Sequence, residues 1–271
     1  MFKREPLISF VVVTHDLPIP LIMSRIIHSI ANQGHTRREL ILIGESCSHF
    51  GELVTSIKRS FPGMLTRWAN ELLSPLKLTS PWARVGRCRN LGVSMAHGDF
   101  ISCQDDDNEL ESDFSASLLE CLLSQDADAT WCYRRLVMPD GSPYPGTFFP
   151  WVEPLSIRGR LLYNIWVAAG VLEAGSDVVR DQLLATNSSE AFSTVDASAW
   201  LVKADIYRQF PFRERFGYQD LISNTSFDDI WNHDIRAAGI RVACSERASL
   251  IYHLGGASTQ EPVAQWLAHG T

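Results

Sequence analysis

RVGRCRNLGVSMAHGDFISCQDDDN, residues 84–108, decides how the rest of the chain is read. Val85, Leu91, Val93, Met95 and Ala96 recur at roughly helical spacing and His97-Gly98 ends the pattern, which predicts a helix with a basic start. Phe100, Ile101 and Cys103 follow as a short apolar run that stops at Gln104-Asp105-Asp106-Asp107-Asn108. Successive carboxylates cannot be buried without a counter-charge, so the run predicts a strand that delivers acidic groups to a surface. In an open α/β sheet, ligands bind outside the carboxyl ends of the strands. Mg2+ and Mn2+ take oxygen ligands, and on extended backbone an Asp-x-Asp spacing turns the first and third carboxylates to one side. Asp105 and Asp107 are thereby assigned to a metal and Asp106 is turned away. A solvated turn capping a helix is the plainer reading of the same residues.

Working outward, residues 7–14 form a near-continuous β-branched run, as in a parallel strand covered on both faces. A helical stripe at 21–30, a second strand at 39–43 and a second helix at 51–61 follow, and this alternation predicts a parallel sheet with right-handed crossovers. A third strand is expected at 72–78. Beyond the acidic stretch come a helix around Leu118–Leu123, a strand over 129–138 running into a turn at Asp140-Gly141, and two helices within 155–184 broken near 170–176. A strand at 195–202, a short helix at 203–210, a helix opening at Phe227-Asp228-Asp229 and strands at 240–244 and 250–252 complete the chain. Residues 139–154 hold five prolines and four aromatics, either a packed cover or a wall for an acceptor.

At 271 residues the chain is read as one α/β domain. Its 45% apolar and 20% charged composition is that of an ordinary globular protein, and the net charge of −7 argues against a nucleic-acid surface. Six cysteines without a C-x-x-C pair indicate a reducing, cytoplasmic compartment. No apolar stretch suits a membrane span, so the chain at most touches a membrane surface. There is no zinc spacing, hydrolase elbow or G-x-G-x-x-G turn.

Arg89-Asn90-Leu91-Gly92, the lead-in Ala96-His97-Gly98-Asp99-Phe100-Ile101 and the acidic triplet together resemble glycosyltransferase family 2. The resemblance covers residues 7–110 and, more loosely, 195–258. It implies a GT-A fold: one Rossmann-like domain whose central, mostly parallel sheet is flanked by helices. The nucleotide-sugar-binding half would be 1–110, the acceptor-binding half 111–258 and the tail 259–271. The activity implied is inverting transfer of a sugar from a nucleotide-diphosphate sugar, a UDP-sugar favoured, to a saccharide, lipid-linked or small-molecule acceptor hydroxyl. Mn2+ or Mg2+ would sit on the diphosphate.

By the same resemblance Thr14, Asp16 and Glu45, after the first two strands, cradle base and ribose, and Arg89 and Asp106 complete the donor contacts. Glu45 stands where the family has aspartate, and Asp16 and Glu45 could equally cap helices. Arg84 and Arg87 read as surface charges or as diphosphate forks. Asp228 or Asp229 would be the general base, although two acids at a helix start also serve as caps. His253, in Tyr252-His253-Leu254-Gly255-Gly256, is a metal ligand or a packed residue. A sugar nucleotidyltransferase lacks its Gly-rich loop here, whereas a non-catalytic GT-A scaffold that binds a sugar or partner would suit the departures at Gly44 and Asp228.

Overall fold

Ile8–Thr14 (β1) is buried at every position, as expected of a β-branched run covered by helices on both faces. Arg38–Glu45 (β2) pairs parallel to β1 from Ile8↔Arg38 to Thr14↔Gly44, and Phe100–Asp105 (β4) pairs parallel on its other side from Ile8↔Phe100 to Val13↔Asp105. Leu65–Glu71 (β3) lies parallel outside β2. Trp200–Lys203 (β9) runs antiparallel to both β4 and Ala129–Trp131 (β6), and Val242–Cys244 (β10) pairs parallel to β6. The seven-stranded order is therefore β10-β6-β9-β4-β1-β2-β3. A four-stranded sheet, β5-β11-β7-β8, is built from Glu109–Leu110, Leu250–His253, Arg134–Val137 and Val178–Val179. The computed structural model describes residues 4–72, 80–183, 193–217, 220, 225–256, 259, 262–264 and 267.

Ile19–Ile22 (α1) passes through a π-helical stretch, Met23–Ile27, into His28–Ala31 (α2). Phe50–Ser60 (α3), Pro81–Met95 (α4), Phe114–Ser124 (α5), Ile157–Ala168 (α6), Ala204–Gln209 (α7) and Phe227–Ala237 (α8) follow. α4 lies hard against β1: a Cβ on Gly92 would come within 2.2 Å of Val11 Cγ1. Below it, the Asp99 carboxylate accepts from Leu7 N–H at 2.8 Å, Gly98 N–H donates to Ser9 Oγ at 2.8 Å, and Glu39 accepts from His97 N–H at 2.7 Å. The lead-in to the acidic triplet thus stitches the start of β4 to β1 and sets which residue ends the strand.

Several expectations are corrected. The third strand lies at Leu65–Glu71, not at 72–78, and residues 73–78 fall outside the described residues. Its burial alternates because one face meets solvent, so it carries no apolar run. The strand expected over 129–138 is two strands in different sheets, since Cys132 N–H turns to Ala199 O and Tyr133 N–H to Arg247 O. Of the two helices within 155–184 only α6 forms. Gly170 and Gly175, both at positive φ, then carry the chain into the edge strand β8, and residue 184 is not among the described ones. The run 195–202 begins as a 3₁₀ turn, Ala197–Ala199, capped by Asp196. Among the described residues no helix is long and apolar enough to cross a membrane.

Residues 139–154 settle chiefly as a cover. Tyr144, Phe148 and Phe149 are buried with Leu136, Trp166 and Leu254 in a second core over the small sheet. Trp151 stays partly exposed. It and Tyr252 both flank the Arg134 guanidinium, at 5.0 and 5.5 Å from the ring centroids.

Candidate active site

β4 ends at Asp105, and Asp106-Asp107 form a turn rather than continued strand. The alternation expected of extended backbone therefore stops at Asp105, and each carboxylate has its own surroundings. Asp105 Oδ1 accepts from Arg89 Nη2 at 2.5 Å, and its Oδ2 from Ser198 Oγ at 3.1 Å. Asp106 Oδ2 accepts from Thr14 Oγ1 at 2.7 Å and weakly from His15 N–H, which fastens the turn to the end of β1. Burial pushes its carboxyl upward. Among the described residues no cation pairs with the Asp107 carboxylate. Burial first, then Asp105, Asp106 and Asp196, raise it to about 7.

Arg89 is wholly buried, lies over the rings of Phe227 and Phe212, and pairs with Asp105. Its reach to a diphosphate is thus indirect: it holds one acidic residue of the turn. Its neighbour Asn90 exchanges hydrogen bonds with the Phe212 backbone and reaches Glu214. Arg84 Nε binds Glu45 Oε1 at 2.5 Å, and Arg87 pairs with Glu71 and Glu214, so both serve as ion-pair partners at the helix entrance. Glu45 keeps Oε2 without a partner among the described residues. Asp16 accepts from Ser48 N–H and Oγ, both at 2.9 Å, and secures the loop ahead of α3.

The acidic pair of α8 divides in role. Ser226 and Asp229 form a reciprocal capping box, with Ser226 N–H donating to Asp229 Oδ2 at 3.1 Å. Asp228 is the less exposed of the two, and its Oδ1 accepts from the Ser226 hydroxyl and, at 3.2 Å, from Asp229 N–H. Burial first, then Asp229 and Asp196, raise its carboxyl to about 7, while the Ser226 hydroxyl and Arg89 act against this. Asp196 is felt by both Asp107 and Asp228, so the two lie around one acidic centre.

His253 Nε2 faces Glu109 at 3.4 Å, because β11 pairs antiparallel with β5 and sets Ile251 opposite Glu109. Burial, then Arg25, lowers its proton affinity. Asp105, Asp107 and His253 do not converge as a ligand set: the described residues bring one trio of His, Cys, Asp or Glu ligand atoms within 4.8 Å of one another, and it lies elsewhere. The tail still meets the acidic turn, since a Cβ on Gly256 would lie 2.5 Å from Asp107 Oδ2. Asp107 and Asp105 offer oxygen donors, one of them short of counter-charge, and buried Asn108 beside them leaves both amide atoms unpartnered. That donor set suits a hard divalent cation.

Sequence reasoning missed three contributors. Arg25, from the π-helical stretch, donates to Asp107 O at 3.3 Å. Ser198 orients Asp105. Arg134, buried and bidentate on Asp181 at 2.6 and 2.7 Å, also reaches Asp196 at 3.4 Å. No local pattern marks any of the three, whereas Asp196, in the strand-like run 195–202, is the next candidate for a general base after Asp228 and Asp229 on the sequence alone.

No protein-family model matches the chain, and no curated protein matches it. Solved structures do. Mannosyltransferase PcManGT from Pyrobaculum calidifontis, in complex with GDP-Man and Mn2+, is similar at TM-score 0.61 and 14% identity, over 96% of this chain and 60% of that one. S. aureus TarS 1-349 in complex with UDP-GlcNAc is similar at TM-score 0.58 and 13% identity, over 94% and 60% respectively. This chain therefore spans about 60% of the length of those proteins. At such identity the likeness shows the fold, which is GT-A-like, with a central mostly parallel sheet flanked by helices.

Proposed function

We propose that the protein is an inverting, nucleotide-sugar-dependent glycosyltransferase of the family 2 type. The observation that carries this reading is the pairing of two carboxylates of raised proton affinity, Asp107 on the acidic turn and Asp228 at the start of α8, around Asp196 at the carboxyl edge of the sheet. The complexes of the two similar structures, with UDP-GlcNAc and with GDP-Man and Mn2+, support it.

Asp107 with Asp105 would hold Mn2+ or Mg2+, whose charge stabilises the departing nucleoside diphosphate. Arg89 and Ser198 keep Asp105 in place, and Thr14 fixes Asp106 so that the turn cannot swing. Glu45, steadied by Arg84, presents Oε2 to a base imide; Thr14 and Asp16 border the same edge. Asp228 takes the proton from the acceptor hydroxyl as its oxygen bonds to the anomeric carbon, and the carbon–oxygen bond to the diphosphate breaks on the opposite face. A base with proton affinity near neutrality is suited to that transfer. His253 supports the turn through Glu109 rather than ligating, and Trp151 with Tyr252 offers aromatic edges on the acceptor side, residues 111–258.

Thermal shift with a panel of UDP-, GDP- and dTDP-sugars, with and without Mn2+, tests the reading, because a ligand bound only by the native state raises the midpoint. One donor class should give a metal-dependent rise. No rise with any donor would remove the proposal.

A further inference from the structure

We propose that Asp16, Cys47 and His49, at the carboxyl edge of β1 and β2, form a binding site for a zinc-class divalent ion. Their ligand atoms lie within 4.8 Å of one another. The sequence hides the set, since Asp16 and the Cys47-x-His49 pair come from different strand-end loops.

The hydrogen bonds around His49 and Asp16 leave lone pairs, not protons, facing one another. His49 Nε2 donates to Leu17 O at 2.9 Å, so in the neutral ring Nδ1 carries a lone pair, and it points at Asp16 Oδ1 3.7 Å away. His15 repeats the pattern: Nδ1 donates to Glu45 O at 2.7 Å, which leaves Nε2 as the acceptor nitrogen 3.8 Å from Asp16 Oδ2. Asp16 Oδ1 is oriented by Ser48, and Asn70 grips both backbone groups of Cys47, at 3.0 and 2.9 Å. Outer partners that fix the tautomer and rotamer of each donor are what metal sites use to orient ligands.

A sulfur, an imidazole nitrogen and a carboxylate oxygen select Zn2+ over Mg2+ or Mn2+. Bond lengths of about 2.0–2.3 Å in a tetrahedron put ligands roughly 3.5 Å apart, so a small inward rotation of exposed Asp16 closes the set. Water would take the fourth position. Burial holds the Cys47 thiol protonated, and metal binding therefore releases that proton to the buffer as the sulfur becomes thiolate. The oxygen-only turn at Asp105–Asp107 could not give the same signature, so the test tells this proposal apart from the donor reading although Asp16 belongs to both.

The test is a Co2+ titration of the full chain after chelator treatment. Wild type should show one equivalent with a thiolate charge-transfer band and the strong visible bands of a tetrahedral site, displaced by Zn2+ and untouched by Mg2+. Cys47→Ser and His49→Ala should lose the bands, and Cys244→Ser should keep them. His49 is only partly buried, so its variant answers the question even if Cys47→Ser folds poorly. Absence of the thiolate band in wild type would overturn the site. Retention of the band in His49→Ala, or its loss in Cys244→Ser, would do the same.

Discussion

Asp228 and Asp229 are adjacent, chemically identical and expected to fail differently. Asp229→Ala removes the side chain that answers Ser226 in the capping box and should cost about 1 kcal/mol of stability, in the usual range for a lost cap. Asp228→Asn removes a half-buried carboxylate that ionises at about 7 but keeps a side-chain oxygen to accept from the Ser226 hydroxyl and Asp229 N–H, so at pH 8 its stability should match or exceed wild type. Turnover should show the reverse order: a fall of roughly 10²–10⁴ for Asp228→Asn and near-normal rates for Asp229→Ala at pH 8. The pH profile adds an independent sign. Asp229 is the largest charge raising Asp228, so Asp229→Ala should move the acid limb of kcat, near pH 7 in the wild type, to lower pH. Release of nucleoside diphosphate measured from pH 5 to 9, alongside urea denaturation, reads both quantities. A folded Asp228→Asn that turns over normally, or an Asp229→Ala whose acid limb stays fixed, would refute the division of roles.

Arg89→Met should destabilise the fold by about 1–3 kcal/mol, because it takes the counter-charge from Asp105, which stays partly exposed and bonded to Ser198, and adding Asp105→Asn should recover part of the loss; denaturant midpoints of the double cycle check this. Gly256→Ala should leave the melting temperature nearly unchanged but weaken Mn2+-dependent donor affinity, since its methyl group meets only the end of the Asp107 side chain; calorimetric titration would show it. Asp107 and Asp228 bind protons more tightly folded, at about 7, than in the unfolded chain, at about 4. Their contribution is therefore complete below pH 4 and lost as pH rises to 7, by at most about 4 kcal/mol per group before solvent screening. The metal-free protein should be less stable at pH 7.5 than at 5.5, with the slope flattened in Asp107→Asn; a stability that climbs over that interval would contradict the assignment.

The first strand, the basic helix and the strand ending in carboxylates were legible because each is governed by local pattern: β-branched runs, helical spacing and an abrupt acidic stop. β3 is not legible in the sequence, because an edge strand with one wet face, LTRWANE, has no apolar run. The division of Asp228 and Asp229 was readable, since Ser226 stands three residues before Asp229 as in a capping box. Ser198 and Arg25 were not, because they act on Asp105 and Asp107 across 93 and 82 residues of sequence, and nothing local marks such a contact. Glu45 lay where expected, but its pairing with Arg84 depends on how α4 crosses the sheet.

The most direct measurement of the central claim is Mn2+-dependent release of nucleoside diphosphate from the donor that binds, compared between wild type and Asp107→Ala. Wild type should release it only with the metal, and Asp107→Ala, folded and at least as stable at pH 7.5, should lose the metal-dependent part. Equal metal-dependent release from both proteins, or none from wild type with any donor, would contradict the account.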